Sequence, residues 1–211
     1  IKHGWSMKWL HKEIMLSAVY QQGNTHDEKA FRKDPENRLL WKMNRRRLEI
    51  EPWRDAMLAV TGELDLTVGG PSIQLSDKNN MRRTIYGFVS RHRLNELLRL
   101  FDFPDPNITA ANRTTTTVPL QQLFVLNSEF MIARARSLAK QIVERAGPTV
   151  EEQVEYAYQL LFARGADKEE VAVFREFLDL VSKVNPGEDK LSPLEQLSLA
   201  LLGSNEFLYI D

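Results

Sequence analysis

Residues 119–145 read PLQQLFVLNSEFMIARARSLAKQIVER. Leu120, Phe124, Asn127, Met131, Ala135, Leu138 and Ile142 recur there at three- and four-residue steps, which places them on one face of a helix. Pro119 suits the first turn, where a missing N–H costs nothing. The spacing predicts one long helix opening at Pro119. Three more helices announce themselves downstream through capping boxes, in which a short polar side chain and an acid three residues later satisfy each other's backbone N–H. The pairs are Thr149 with Glu152, Asp167 with Glu170, and Ser192 with Glu195. Val171, Phe174, Leu178 and Val181 form an inward stripe on the middle helix, and Gly165 and Gly203 sit at stops.

Upstream the pattern is looser. Trp5–Gln22 reads as a helix with Trp9, Leu10, Ile14, Met15 and Ala18 on its apolar side, and the polar stretch to Lys33 reads as a loop. Asp34-Pro35 has the form of a helix start, with Leu39, Leu40 and Met43 continuing the period. Arg45-Arg46-Arg47 falls within that pattern beside Glu49 and Glu51, so pairing along the helix is expected. Pro52 predicts a restart near Glu51, and Gly62 a stop after Val60. Residues 63–81, with Gly69-Gly70-Pro71, read as loop, Arg83–Arg91 as a short strand, and Leu94–Phe101 as helix. All four tryptophans fall on helical stripes, which assigns them to the core. The fold class is therefore mainly α: an irregular multi-helix bundle with long loops and at most a short strand or hairpin. Residues 1–211 are read as a single helical domain, with a subdivision near 103–118 left open.

Composition narrows the chemistry. The 211 residues are 43% hydrophobic and 27% charged, ordinary globular usage. With no cysteine, disulfides, thiol nucleophiles, thiolate metal sites and haem attachment through a Cys pair are excluded from this segment. No apolar run approaches the roughly 20 residues that span a bilayer. No positive-then-apolar leader opens the sequence, which reads as starting mid-protein. Residues 1–99 hold 18 Lys+Arg against 12 Asp+Glu, and residues 100–211 hold 10 against 17. A nucleic-acid binder usually carries a clear basic excess, and no nucleic-acid partner is expected.

Motifs for catalysis are few. His3, His11, His26 and His92 form no His-Glu-x-x-His pair, and no metal site is expected. Nucleophile-elbow, phosphate-loop and dinucleotide-glycine signatures are missing from the sequence. The most suggestive segment runs from Asp102 to Thr116. Asp102 and Asp105, with Asn107, stand on a loop stiffened by Pro104 and Pro106, and Arg113 precedes four threonines ending at Thr117. Carboxylates on such a loop can bind a cation or orient a hydroxyl, and an arginine with hydroxyls suits an anion. The same letters also serve as turn starters and loop ties. Arg83 and Tyr86 form a second candidate, an arginine beside an aromatic, able to hold a ring ligand or to pack as core.

Many short motifs occur in one order: Gly4-Trp5-Ser6, Asp34-Pro35-Glu36-Asn37-Arg38-Leu39-Leu40-Trp41, Arg45-Arg46-Arg47-Leu48-Glu49, Arg54-Asp55-Ala56-Met57-Leu58, Gly69-Gly70-Pro71-Ser72, Arg83-Thr84-Ile85-Tyr86-Gly87-Phe88-Val89, Phe101-Asp102-Phe103, Arg113-Thr114-Thr115-Thr116, Pro119-Leu120-Gln121-Gln122-Leu123-Phe124 and Ser204-Asn205-Glu206-Phe207. Together they resemble the C-terminal domain of unknown function in the large planctomycete cytochrome-c-like multi-domain proteins. That resemblance implies an exported, periplasmic or cell-surface protein, with neighbouring domains as partners, a haem-c module among them. It implies no cofactor within this segment and assigns no catalytic residue. The expected function is an accessory or interaction domain linked to polysaccharide handling or electron transfer. The alternative is a hydrolase-type enzyme with its site at the Asp102–Thr116 loop.

Overall fold

The computed structural model describes residues 2–77, 79–182 and 191–210. It is mainly helical, with ten α-helices among these residues, one 3-10 turn and two strands of two residues each. Residues divide into two compact units, one formed by 1–47 with 209–211 and the other by 48–208.

In the first unit, α1 (Met7–Met15) starts at Ser6, whose hydroxyl accepts from Trp9 N–H at 3.2 Å. It stops at Leu16, well short of Gln22, and buries no residue. The expected helix at Asp34 lies instead just upstream, as α2 (Glu28–Lys33) capped by Asp27. Asp34 ends α2, and its carboxylate accepts from the N–H groups of Arg38 and Leu39 at 3.0 and 2.7 Å. A loop tied this way offers its backbone partners outside a helix, which is why the period through Leu39 and Met43 never becomes one. Arg46–Arg47 is not helical but forms β1, antiparallel to β2 (Tyr209–Ile210).

The second unit carries the core. α3 (Ile50–Val60) begins where Pro52 requires, with the proline in the first turn, and ends in Thr61 followed by Gly62 at φ +72°. Its buried residues Ile50, Trp53 and Met57 join Leu98 and Phe101, the latter on the end of α4 (Glu96–Leu100). Of the four tryptophans only Trp53 reaches the core; Trp5 is 81% exposed. Residues 83–91 are no strand. Thr84–Tyr86 make a 3-10 turn, and an isolated bridge joins Ile73 to Gly87. A Cβ on Gly87 would stand 2.8 Å from Leu75 Cδ1 and 2.9 Å from Thr84 O, so the chain passes too closely here for any side chain.

The long helix expected from Pro119 is two helices, α5 (Pro119–Asn127) and α6 (Glu129–Arg145). The break is Ser128, extended at ψ 142°, whose hydroxyl accepts from Met131 N–H at 3.2 Å. An N-cap here gives α6 a start of its own and frees its direction from that of α5. α6 then buries Met131, Ala135, Leu138 and Ile142, and each large one among them contributes about 1.5–3 kcal/mol. α7 (Val150–Phe162), α8 (Lys168–Ser182) and α9 (Pro193–Leu202) start at the three expected capping boxes. α9 packs on α6, and α7 and α8 pack on each other. α10 (Asn205–Leu208) places Phe207 in the same core.

Candidate functional site

The site begins at α3. Its first turns present Glu51 and Asp55 one helical turn apart, so both carboxylates emerge on one side. They border a cleft of ≈ 440 Å³ whose walls include Arg83, Thr84, Ile85, Phe103 and Arg113. Arg113 reaches Glu51 with both guanidinium arms, at 2.7 and 2.9 Å, and Glu49 at 3.0 Å. A planar fork on a carboxylate is the strongest form of ion pair. The hydrogen bonds to Glu51 hold the Arg113 guanidinium above its ordinary pKa. The ring of Phe103 lies 5.1 Å from the same guanidinium.

Asp55 takes the other side. Its Oδ1 accepts from the Thr84 N–H and hydroxyl, each at 2.6 Å, and its Oδ2 lies 3.5 Å from Arg83 Nε. Behind it Arg54 is buried, donating to Arg82 O at 3.0 Å, Thr84 Oγ1 at 3.1 Å and Asn80 O at 2.5 Å. Burial lowers the Arg54 pKa and Asp55 opposes that shift. Arg82 in turn lies over the Tyr86 ring at 4.0 Å and donates to the carbonyls of Thr67, Gly69 and Pro71. Tyr86 Oη accepts from Gly69 N–H at 2.9 Å. Arg82 thus ties the 67–71 loop to the 80–84 loop, and Arg54 ties the 80–84 loop to α3.

The nominated loop behaves the same way. Asp102, at φ +61°, accepts from Thr116 N–H at 2.8 Å and from its hydroxyl at 2.7 Å. Asp105 accepts from the Asn107 backbone and side-chain amides at 2.9 and 3.0 Å, and Asn107 also donates to Arg91 O at 3.0 Å. Of the residues expected at a site, Arg83 and Arg113 line the cleft, whereas Asp102 and Asp105 do not. Among the described residues neither aspartate makes an ion pair with Arg113. The glutamates expected to pair along a helix with Arg45–Arg47 are seen pairing with Arg113. Glu51, Asp55 and Arg54 were not read as site residues because their partners lie 26 to 62 residues away, beyond any local period.

One family profile, PSD1, protein of unknown function (DUF1553), matches residues 1–178. The chain belongs to the PSD1 family. No curated protein and no solved structure matches it. In this PSD1 chain the cleft is bounded by side chains tied to α3. No three His, Asp or Glu side chains cluster to hold a metal among the described residues. No helix there is long and apolar enough to cross a membrane.

Proposed function

We propose that this chain is an accessory or interaction domain that carries out no catalysis of its own, within a longer, exported protein of periplasmic or cell-surface location. It packs against neighbouring domains of that protein, a haem-c module among them, and serves polysaccharide handling or electron transfer through that packing. The reading rests on one observation: the acids and arginines that resemble a catalytic set are taken up by partners inside the fold. Both oxygens of Asp102 hold Thr116, and both arms of Arg113 hold Glu51. Each carboxylate oxygen of Asp102 and each terminal nitrogen of Arg113 already has a partner within the fold, the arrangement of a loop tie. The cellular setting and the haem-c neighbour are what the resemblance of the sequence motifs implies.

The test compares the wild-type chain with Asp102→Ala and Arg113→Ala on a panel of glycosides and esters, together with urea unfolding. The expected result is no turnover by any of them and lower stability for both variants. Saturable turnover that Asp102→Ala abolishes at unchanged stability would overturn the proposal in favour of a hydrolase at the Asp102–Thr116 loop.

A further inference from the structure

We infer that a second cavity, whose lining residues all lie within the 48–208 unit, binds a neutral, polyhydroxylated ligand, a short glycan. The inference goes beyond the accessory reading and stands on this cavity alone. Four stretches of chain converge on it: the loop at 74–79, Phe88 and Ser90, the start of α4 from Arg93, and the joint between α5 and α6. Its volume of ≈ 980 Å³ lies at the upper end of the roughly 300–1,000 Å³ that ligand pockets span, with room for more than one sugar ring. Several of its groups are accounted for by the fold. Phe124 meets Phe101 edge-on at 5.5 Å, and Phe130 lies 5.5 and 5.2 Å from the guanidinium groups of Arg54 and Arg134. Asn95 caps α4, Ser128 caps α6, and Asp77 accepts from the Asn79 N–H. The rest are left over. Phe88 is 46% exposed and has no ring or cation partner among the described residues. The side chains of Gln74, Ser76, Asn79, Arg93 and Glu96 make no hydrogen bond or ion pair among those residues. In the α3 cleft, by contrast, every charged side chain has a partner.

The leftover groups select the ligand. A sugar ring presents a face of C–H groups to an aromatic ring, and hydroxyls that both donate and accept along its edge. Phe88 supplies the aromatic ring. The amides of Gln74 and Asn79 each combine a donor with an acceptor, Arg93 only donates and Glu96 only accepts, so hydroxyls satisfy all four. A polyanion fits poorly, because Asp77, Glu96 and Glu129 outnumber Arg93 among the described lining residues. A basic peptide would set its own charge against Arg93. A purely apolar ligand would strip water from these polar groups and return no hydrogen bond.

The test is calorimetric titration of the chain with maltotriose, cellotriose, mannotriose and chitotriose, with trigalacturonate and a lysine-rich peptide as charged comparisons. Saturable binding of a neutral trisaccharide is expected, weakened on the order of tenfold in Phe88→Ala and in Gln74→Ala. Phe88→Tyr should keep the binding, and so should Ile85→Ser, which alters the α3 cleft instead. Unfolding midpoints should stay near wild type in all four variants, since these side chains are exposed. No binding of any neutral trisaccharide, or binding that Phe88→Ala and Gln74→Ala leave unchanged, would overturn the inference while leaving the accessory reading standing. Tighter binding of trigalacturonate or of the peptide, lost in Phe88→Ala, would also overturn it, replacing the sugar by a charged partner. Hydrolysis of a bound trisaccharide would remove the accessory reading and leave this binding site in place.

Discussion

Asp102 separates a structural loop from a catalytic one, because its backbone and its side chain make opposite demands. Its carboxylate holds Thr116 through two hydrogen bonds, and its φ of +61° is a conformation that favours glycine and tolerates asparagine. Hydrogen bonds to a charged group contribute about 1.5–3 kcal/mol each when buried. Asp102 is half-buried and Thr116 exposed, so about 2 kcal/mol for the pair is a fair figure. Alanine loses that and is also held in the left-handed region at roughly 1 kcal/mol, for a total near 3 kcal/mol. Glycine loses the bonds but relaxes the backbone, leaving about 1–2 kcal/mol. Asparagine keeps one acceptor and the backbone preference, at about 1 kcal/mol. Urea unfolding at neutral pH should therefore rank the variants wild type, Asn, Gly, Ala in falling stability, with unchanged slopes. An alanine variant as stable as wild type, or more stable than the glycine variant, would refute the loop-tie reasoning.

Arg54→Met should cost about 2–4 kcal/mol, because it takes that donor from the part-buried carbonyls of Asn80 and Arg82; the unfolding midpoint and proteolysis within 67–84 report it. Arg164 donates to both Glu170 and Glu206, and its hydrogen bonds hold the Glu170 carboxyl down at about 2, against an ordinary 4.5. A depressed folded pKa means stability present above pH 4.5 and lost as pH falls toward 2. Because the cluster is partly open to solvent, about 1 kcal/mol is expected in that window, absent in Glu170→Gln and measured by thermal melts between pH 2 and 5. Ser128→Ala removes the cap on α6 and should cost about 1 kcal/mol, with faster amide exchange at Met131.

The helical class and the starts of α7, α8 and α9 were legible in the sequence because a capping box lies wholly within four residues. Ser128 is just as local, but Met131 replaces the acid at its third position, so the apolar period runs unbroken through the cap and hides it. α1 shows the reverse: its period is real, yet none of its residues is buried. The loop candidates were singled out by residue type, while the partners they meet are ones that no spacing specifies. Asp55 meets Thr84 across 29 residues and Glu51 meets Arg113 across 62. Such pairs follow from how α3 sits against two loops, a tertiary fact.

Whether the cleft's charges hold the fold together is measured directly by a double-mutant cycle on Glu51 and Arg113. Urea unfolding of Glu51→Gln, Arg113→Met and the double variant should give a coupling of about 1–2 kcal/mol, as expected for a forked, partly buried pair. Additive effects with no coupling would contradict it, since the two side chains would then be free for another task.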